Sequence, residues 1–179
     1  MTTSSITIAE DRPDQRSAVA AIYPLAFPDE DLAPLVAELW QYPDHILSLV
    51  AVVDNAPVAH ALFSYCSLEG TPSEIALLGP VAVHPEQQRS GLGSQLIYDG
   101  LARLKQRGTS AVCVLGDPNY YSRFGFGTAR DINPPYSPDV MPPEWEGAWQ
   151  SMILNDQEHP LSGRLQVPKP WDHSELWLP

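Results

Sequence analysis

The chain has 179 residues, 44% of them hydrophobic and 18% charged, which suits one globular domain, spanning residues 1–179, rather than a disordered segment. Its formal charge is −12 with only 10 Lys and Arg, which argues against a nucleic-acid partner, because a duplex binder needs a basic face. No apolar run approaches the ~20 residues of a membrane helix, and residues 1–6 lack the basic and apolar regions of a signal peptide; the expectation is a cytoplasmic protein with no membrane partner.

Residues 6–8 read as a short first strand. Asp11 and Pro13 are start signals for a helix running to about Ala26, and Pro28 and Asp29 reset the chain for a second helix carrying Leu32, Leu35, Val36 and Leu39. Residues 47–53 and 58–65 form a hairpin across 54–57. Cys66 and Cys113 fall in predicted strands and read as packed, reduced thiols. An apolar strand follows over 77–83, interrupted by Pro80, which cannot donate a ladder hydrogen bond.

That strand feeds a polar turn and two glycines, Gly91 and Gly93, which open an amphipathic helix. Leu92, Leu96, Ile97, Leu101 and Leu104 share its apolar face, Lys105 and Arg107 suit the last turn, and Gly108 is the expected stop. No Asp or Glu lies between Gln87 and Tyr98, although acids normally stabilise a first turn. Free first-turn N–H groups, a helix dipole and glycines that let backbone approach a ligand together make a site for an anion. It is not a dinucleotide fingerprint, since Leu96 stands where the third glycine belongs, and not a P-loop, since no Lys follows either glycine.

The spacing Gln88-x-x-Gly91-x-Gly93 resembles the pyrophosphate-binding motif of the GNAT superfamily of N-acetyltransferases. A β-rich run over 110–115 follows the helix. Next comes Asn119-Tyr120-Tyr121-Ser122-Arg123-Phe124-Gly125-Phe126, which looks like the Y-x-x-x-G-F element closing that family's cofactor half. The resemblance is close over 74–127 and looser over 6–163. It implies an α/β fold: a central mixed, mostly antiparallel sheet, splayed between strands 4 and 5 and flanked by helices. Pro80 suits the splay. From Ile132 on, Pro134, Pro135, Pro138, Pro142 and Pro143 read as an ordered loop. A strand over 149–154 and a closing strand over 161–165 follow, with 132–179 completing the domain.

The activity implied is transfer of the acetyl group from acetyl-CoA to a primary amine by direct attack in a ternary complex. The resemblance assigns cofactor phosphates to the N–H groups of Gln88, Arg89, Ser90, Gly91, Leu92, Gly93 and Ser94, and the oxyanion to backbone donors around Val81, Ala82 and Val83. Many members carry a basic residue at the position of Ser90, and many have Asn at the end of the fifth strand, where the resemblance assigns Asp117 to the cofactor without an amide to offer the pantetheine. Tyr121, four residues before Gly125, is the implied general acid toward the departing thiolate, and also a cofactor contact. Tyr120 reads as packing.

Glu74 ranks first as general base, because several relatives project an acid from that strand; Asp117, His84, Glu86 and an ordered-water path remain open. His45, His60, His159 and His173 show no metal-pair spacing, so no metal site is expected. The acceptor, a small-molecule amine or a protein amine, falls to the region around Phe27 to Leu32 and to the tail around Tyr136 to Trp149, and the resemblance also allows a homodimer. Two alternatives stand beside this reading: another acyl-CoA or a non-amine acceptor, and a non-catalytic acyl-CoA sensor.

Overall fold

The computed structural model describes residues 5–137 and 143–178; Pro138 and Pro142 of the expected loop lie outside the described residues. Two compact units emerge, each assembled from separated stretches of chain. The first contains the residues up to Phe63 with Gly79–Gly100, and the second Ser64–Leu78 with everything from Leu101 on.

In the first unit, β1 (Ile6–Glu10) pairs antiparallel with β2 (Ile46–Val53), Ile6 opposite Val53 and Glu10 opposite Leu49. Six successive residues of β2 are buried, as expected for an apolar run covered on both faces. Asp54 and Asn55, both with left-handed φ, turn the chain into β3 (Ala56–Leu68). Two consecutive positive φ values define the tight hairpin turn whose twist matches its strands. The turn is therefore two residues long rather than the four expected, and Pro57 belongs to the strand.

The helical layer departs from its expectation. In place of one helix to Ala26, α1 (Arg16–Ala20) and α2 (Tyr23–Ala26) are separate. Pro24 has no N–H to give the carbonyl of Ala20, and its ring would collide with that turn. The second expected helix is α3 (Ala33–Leu39), with Leu32 as N-cap and Leu35, Val36 and Leu39 buried. Val19, Ile22, Tyr23, Leu49, Leu62 and Phe63 fill the core of this unit.

The second unit begins within β3, at Ser64. Gly70 turns the chain into β4 (Thr71–Val83), whose first part pairs parallel with β5 (Ala111–Leu115), Ile75 opposite Ala111 and Leu78 opposite Val114. β5 pairs antiparallel with β8 (Trp149–Ile153), and β8 with β6 (Gly127–Thr128). β9 (Gly163–Gln166) pairs with the end of β3 and, in parallel, with β7 (Ile132–Asn133).

The tail tryptophans close this core. Trp149 donates to the Ile132 carbonyl (2.8 Å), Trp171 to Ser64 Oγ (3.0 Å) and Trp177 to the Trp171 carbonyl (2.9 Å). Trp149 and Trp177 are nearly perpendicular at 5.8 Å. Trp149 and Trp177 thus bury their rings, Trp171 packs partly buried against them, and each satisfies its single N–H. Cys66 and Cys113 are buried free thiols, as the sequence implied.

The helix α4 (Leu92–Arg107) runs from the first unit into the second and confirms its periodicity: Leu92, Leu96, Ile97, Leu101 and Leu104 are all buried. Gly108, with φ +94°, ends it as expected. Among the described residues no helix is long and apolar enough to cross a membrane.

Candidate active site

In the first unit, the turn between β4 and α4 is held open by its own short-range bonds. His84 starts it, with its N–H on the Val58 carbonyl (2.8 Å) and Nδ1 accepting from the Glu86 N–H (3.3 Å). The Gln88 side chain donates back to the Val83 carbonyl (3.2 Å), and the Ser90 hydroxyl to the Gln87 carbonyl. Arg89 and Gly91 adopt left-handed φ of 61° and 86°; glycine does so freely, whereas arginine pays about 1 kcal/mol. From Arg89 to Leu92 no backbone N–H finds a backbone acceptor among the described residues; the first helical bond is Gln95 to Gly91 (3.0 Å). No acid occupies the first turn of α4. The result is a run of outward donors at the positive end of a 16-residue helix.

The ladder of β4 with β5 stops before Gly79. It covers Ile75 to Leu78, and the strand then continues through the cis Gly79–Pro80 peptide to Val81, Ala82 and Val83, where Ala82 is buried and both valines are partly exposed. β5 has no ladder register with those last residues.

In the second unit, the chain leaves β5 through Gly116 into α5 (Pro118–Tyr121), a single turn capped by Asp117, whose Oδ1 accepts from the Asn119 N–H (2.9 Å). Asp117 is thus engaged as a helix cap. Tyr121 ends α5, its ring tilted or perpendicular to Tyr120, Phe124 and Phe126 at 5.0, 6.3 and 5.9 Å. Its hydroxyl has no hydrogen-bond partner among the described residues. Burial, with a smaller contribution from Tyr120, pushes Tyr121 up to about 12. Tyr120 instead carries the Arg123 guanidinium over its ring at 4.5 Å.

Glu74 is placed elsewhere. It precedes the first β4–β5 pair, and its carbonyl accepts from the Ser110 N–H (2.9 Å), so it stands at the start of β5 while Tyr121 lies past the end. Five strand residues separate those ends, about 16 Å. Arg107 grips the Glu74 carboxylate with two bonds (2.9 and 3.1 Å) and Thr109 adds a third (2.8 Å). Arg107 in turn lies 4.0 Å over the Tyr65 ring. The Arg107 bonds, helped by Thr109, hold the Glu74 pKa below the usual carboxylate range, against a smaller desolvation effect. A depressed, fully bonded carboxylate remote from Tyr121 is a poor proton acceptor, so the expectation of Glu74 as general base is set aside.

Two cavities flank these ends. One of about 340 Å³ is lined by Leu115, Gly116, Asp117, Pro118, Trp145 and Ala148, at the Tyr121 end. A larger one of about 690 Å³, lined by residues including Glu69, Thr71, Ser73, Asp156 and Glu158, lies at the Glu74 end. None of the expected site residues lines the larger cavity, so size does not identify the site here.

A sequence profile described as an acetyltransferase (GNAT) domain matches residues 8–129. The chain is 32% identical over 126 residues to the uncharacterized N-acetyltransferase YjhQ of Escherichia coli, covering 69% of this chain and 70% of that protein. It is 35% identical over 118 residues to the uncharacterized N-acetyltransferase YhbS of the same organism, covering 65% and 71%. The crystal structure of Escherichia coli YhbS in complex with CoA superposes with a TM-score of 0.83 at 28% identity, over 97% of this chain and 95% of that one. A GNAT-family acetyltransferase from Brucella melitensis in complex with acetyl-CoA gives 0.74 at 26% identity, over 94% and 99%. The fold expected from the sequence is the fold found.

Proposed function

Because the chain belongs to the GNAT family of N-acetyltransferases, we propose that it binds acetyl-CoA and transfers the acetyl group to a primary amine. The observation that carries this reading is the row of N–H groups from Arg89 to Leu92, at the start of α4, that find no backbone acceptor among the described residues. These donors stand at a helix end without an acid, and a pyrophosphate supplies both acceptor and charge. The Gln88 N–H is held by the Pro85 carbonyl (3.3 Å), which withdraws it from the expected set; the N–H groups from Arg89 to Ser94 take the phosphates, and the Arg89 side chain adds a cation where Ser90 has none to give. Backbone donors around Val81, Ala82 and Val83 stabilise the oxyanion.

Acetyl-CoA supplies a thioester whose carbonyl carbon accepts the amine nitrogen as the carbon–sulfur bond breaks. Tyr121 then serves the sulfur. Its pKa of about 12 lies well above the ~8.5 of an ordinary thiol, so outright proton donation runs uphill. The hydroxyl hydrogen-bonds the developing thiolate, the nitrogen gives up its proton to water as the amide forms, and the thiolate leaves as such and is protonated by solvent, so one proton is lost and one gained.

The acceptor takes the 340 Å³ cavity, where Trp145, within the tail region expected to hold it, offers an apolar wall. Calorimetric titration with acetyl-CoA, against dephospho-CoA and NADH, tests the cofactor half. Micromolar binding selective for acetyl-CoA supports it and licenses an amine screen by thiol release. Equal or absent binding leaves the Gly91 turn as an ordinary helix start.

A further inference from the structure

Gly116 has two features that its backbone does not explain. It is not in a left-handed conformation, so any residue could adopt its φ; what excludes a side chain is Tyr121. A Cβ built on Gly116 falls 2.5 Å from Tyr121 Cε2 and 3.1 Å from Cδ2, where ordinary contact begins at 3.4 Å. The ring therefore lies against bare backbone on one side, with Phe124, Phe126 and Tyr120 around it. Gly116 is itself pinned: its N–H donates to the Ala148 carbonyl (3.0 Å) and its own carbonyl accepts from Gln150 Nε2 (3.1 Å).

Gln150 is the second oddity. It is 1% exposed, and burying a carboxamide is costly unless it is bonded. Its amide spends its donors on the carbonyls of Gly116 and Ala148 (3.3 Å). The position of the residue is fixed from both sides, opposite Val114 in β5 and Thr128 in β6. A leucine would pack in such a strand without that cost. What the amide adds is a fixed Gly116.

We propose that Gly116 and Gln150 are positioning residues for Tyr121: Gly116 is the flat seat on which the ring rests, and the buried Gln150 amide holds that seat in place. The inference rests on the reading of Tyr121 as the donor to the leaving sulfur. Relieving a 2.5 Å contact to an ordinary one moves the ring by about 1 Å, a displacement that costs a catalytic group up to about a hundredfold.

The experiment measures thiol release from acetyl-CoA with the best amine of the screen, for Gly116→Ala and Gln150→Leu, each in the wild-type and the Tyr121→Phe background. Gly116→Ala is expected to lower kcat by about ten- to a hundredfold and Gln150→Leu by about fivefold, with KM for acetyl-CoA within about twofold. In the Tyr121→Phe background neither should lower kcat by more than about twofold, because the group they position is gone. Should Gln150→Leu fail to fold, Gly116→Ala decides alone, since it leaves the amide intact. Wild-type kcat in Gly116→Ala beside a crippled Tyr121→Phe overturns this inference and leaves the acid assignment standing. So does an undiminished fall in the Tyr121→Phe background. Full activity in Tyr121→Phe overturns the acid assignment and the inference with it.

Discussion

The two ends of β5 each carry a titratable side chain, and they treat it in opposite ways. At the start of the strand, the Glu74 carboxylate accepts three bonds from Arg107 and Thr109, and Arg107 is stacked on Tyr65. Past its end, the Tyr121 ring is packed, and its hydroxyl has no hydrogen-bond partner among the described residues. Charge that is fully bonded has been spent on holding strands and helix together. A polar tip without such bonds, on a packed ring, is available to a ligand. A family resemblance points to both residues, Glu74 by its strand and Tyr121 by its spacing to Gly125, and what each side chain is already bonded to separates them.

The sharpest way to break this comparison is Tyr121→Phe. Losing the hydroxyl while keeping the ring is expected to reduce kcat by about a hundredfold, the lower range for general acid help, since a thiolate is already a fair leaving group. Acetyl-CoA affinity, measured by calorimetry, should hold within a few fold. The raised Tyr121 pKa also keeps the hydroxyl protonated in alkali. Wild-type turnover should therefore show no alkaline fall from this group up to about pH 10. A fall of turnover with an apparent pKa near 8 that disappears in Tyr121→Phe would contradict the desolvated seat.

His60 extends the comparison to the first unit, where a buried network is as fully bonded as Glu74. Its Nδ1 meets Tyr23 Oη at 2.6 Å and its Nε2 meets Ser48 Oγ at 2.8 Å, while Trp40 donates to the same serine (3.2 Å). Burial pushes His60 down to about 4, and the nearby Asp11 and Arg16 act in opposite directions on it. In the unfolded chain an ordinary histidine titrates near ~6.5. The unfolded state therefore takes up a proton first, and stability present above about pH 6.5 drains away as pH falls toward 4. Between about pH 7 and pH 5 the loss is on the order of 2 kcal/mol. Urea titrations at the two pH values should show that loss in the wild type and a flatter response in His60→Gln. Parallel behaviour of the two proteins would mean that His60 is not buried neutral.

Local signals made much of this legible in advance. The face of α4 repeats within a few residues, and Gly108 ends it where the pattern stops. Tyr121 was separated from Tyr120 by its four-residue distance to Gly125, and the structure gives the two rings different neighbours. The break between α1 and α2 was also written in the chain, as Pro24, but the start signals at Asp11 and Pro13 dominated that reading. What stayed hidden was long-range. Glu74 meets Arg107 and Thr109 across 33 and 35 residues, and Gln150 reaches Gly116 across 34. No periodicity spans such distances.

Glu74→Gln sharpens the comparison through the smallest expected effect. The substitution keeps shape and one acceptor oxygen but removes the charge that Arg107 pairs with. Because both partners are partly exposed, the stability lost at neutral pH is expected to be below about 1 kcal/mol. The sign of its pH dependence is fixed by the depressed folded pKa. The contribution of Glu74 is complete above the unfolded carboxylate value of ~4.3 and vanishes as pH falls through the lower folded one. Wild type and Glu74→Gln should therefore differ most near neutrality and converge in acid, with turnover equal within about twofold throughout. A tenfold loss of kcat in a normally folded Glu74→Gln would return this carboxylate to the chemistry, and the contrast between the two ends of β5 would no longer separate structure from catalysis.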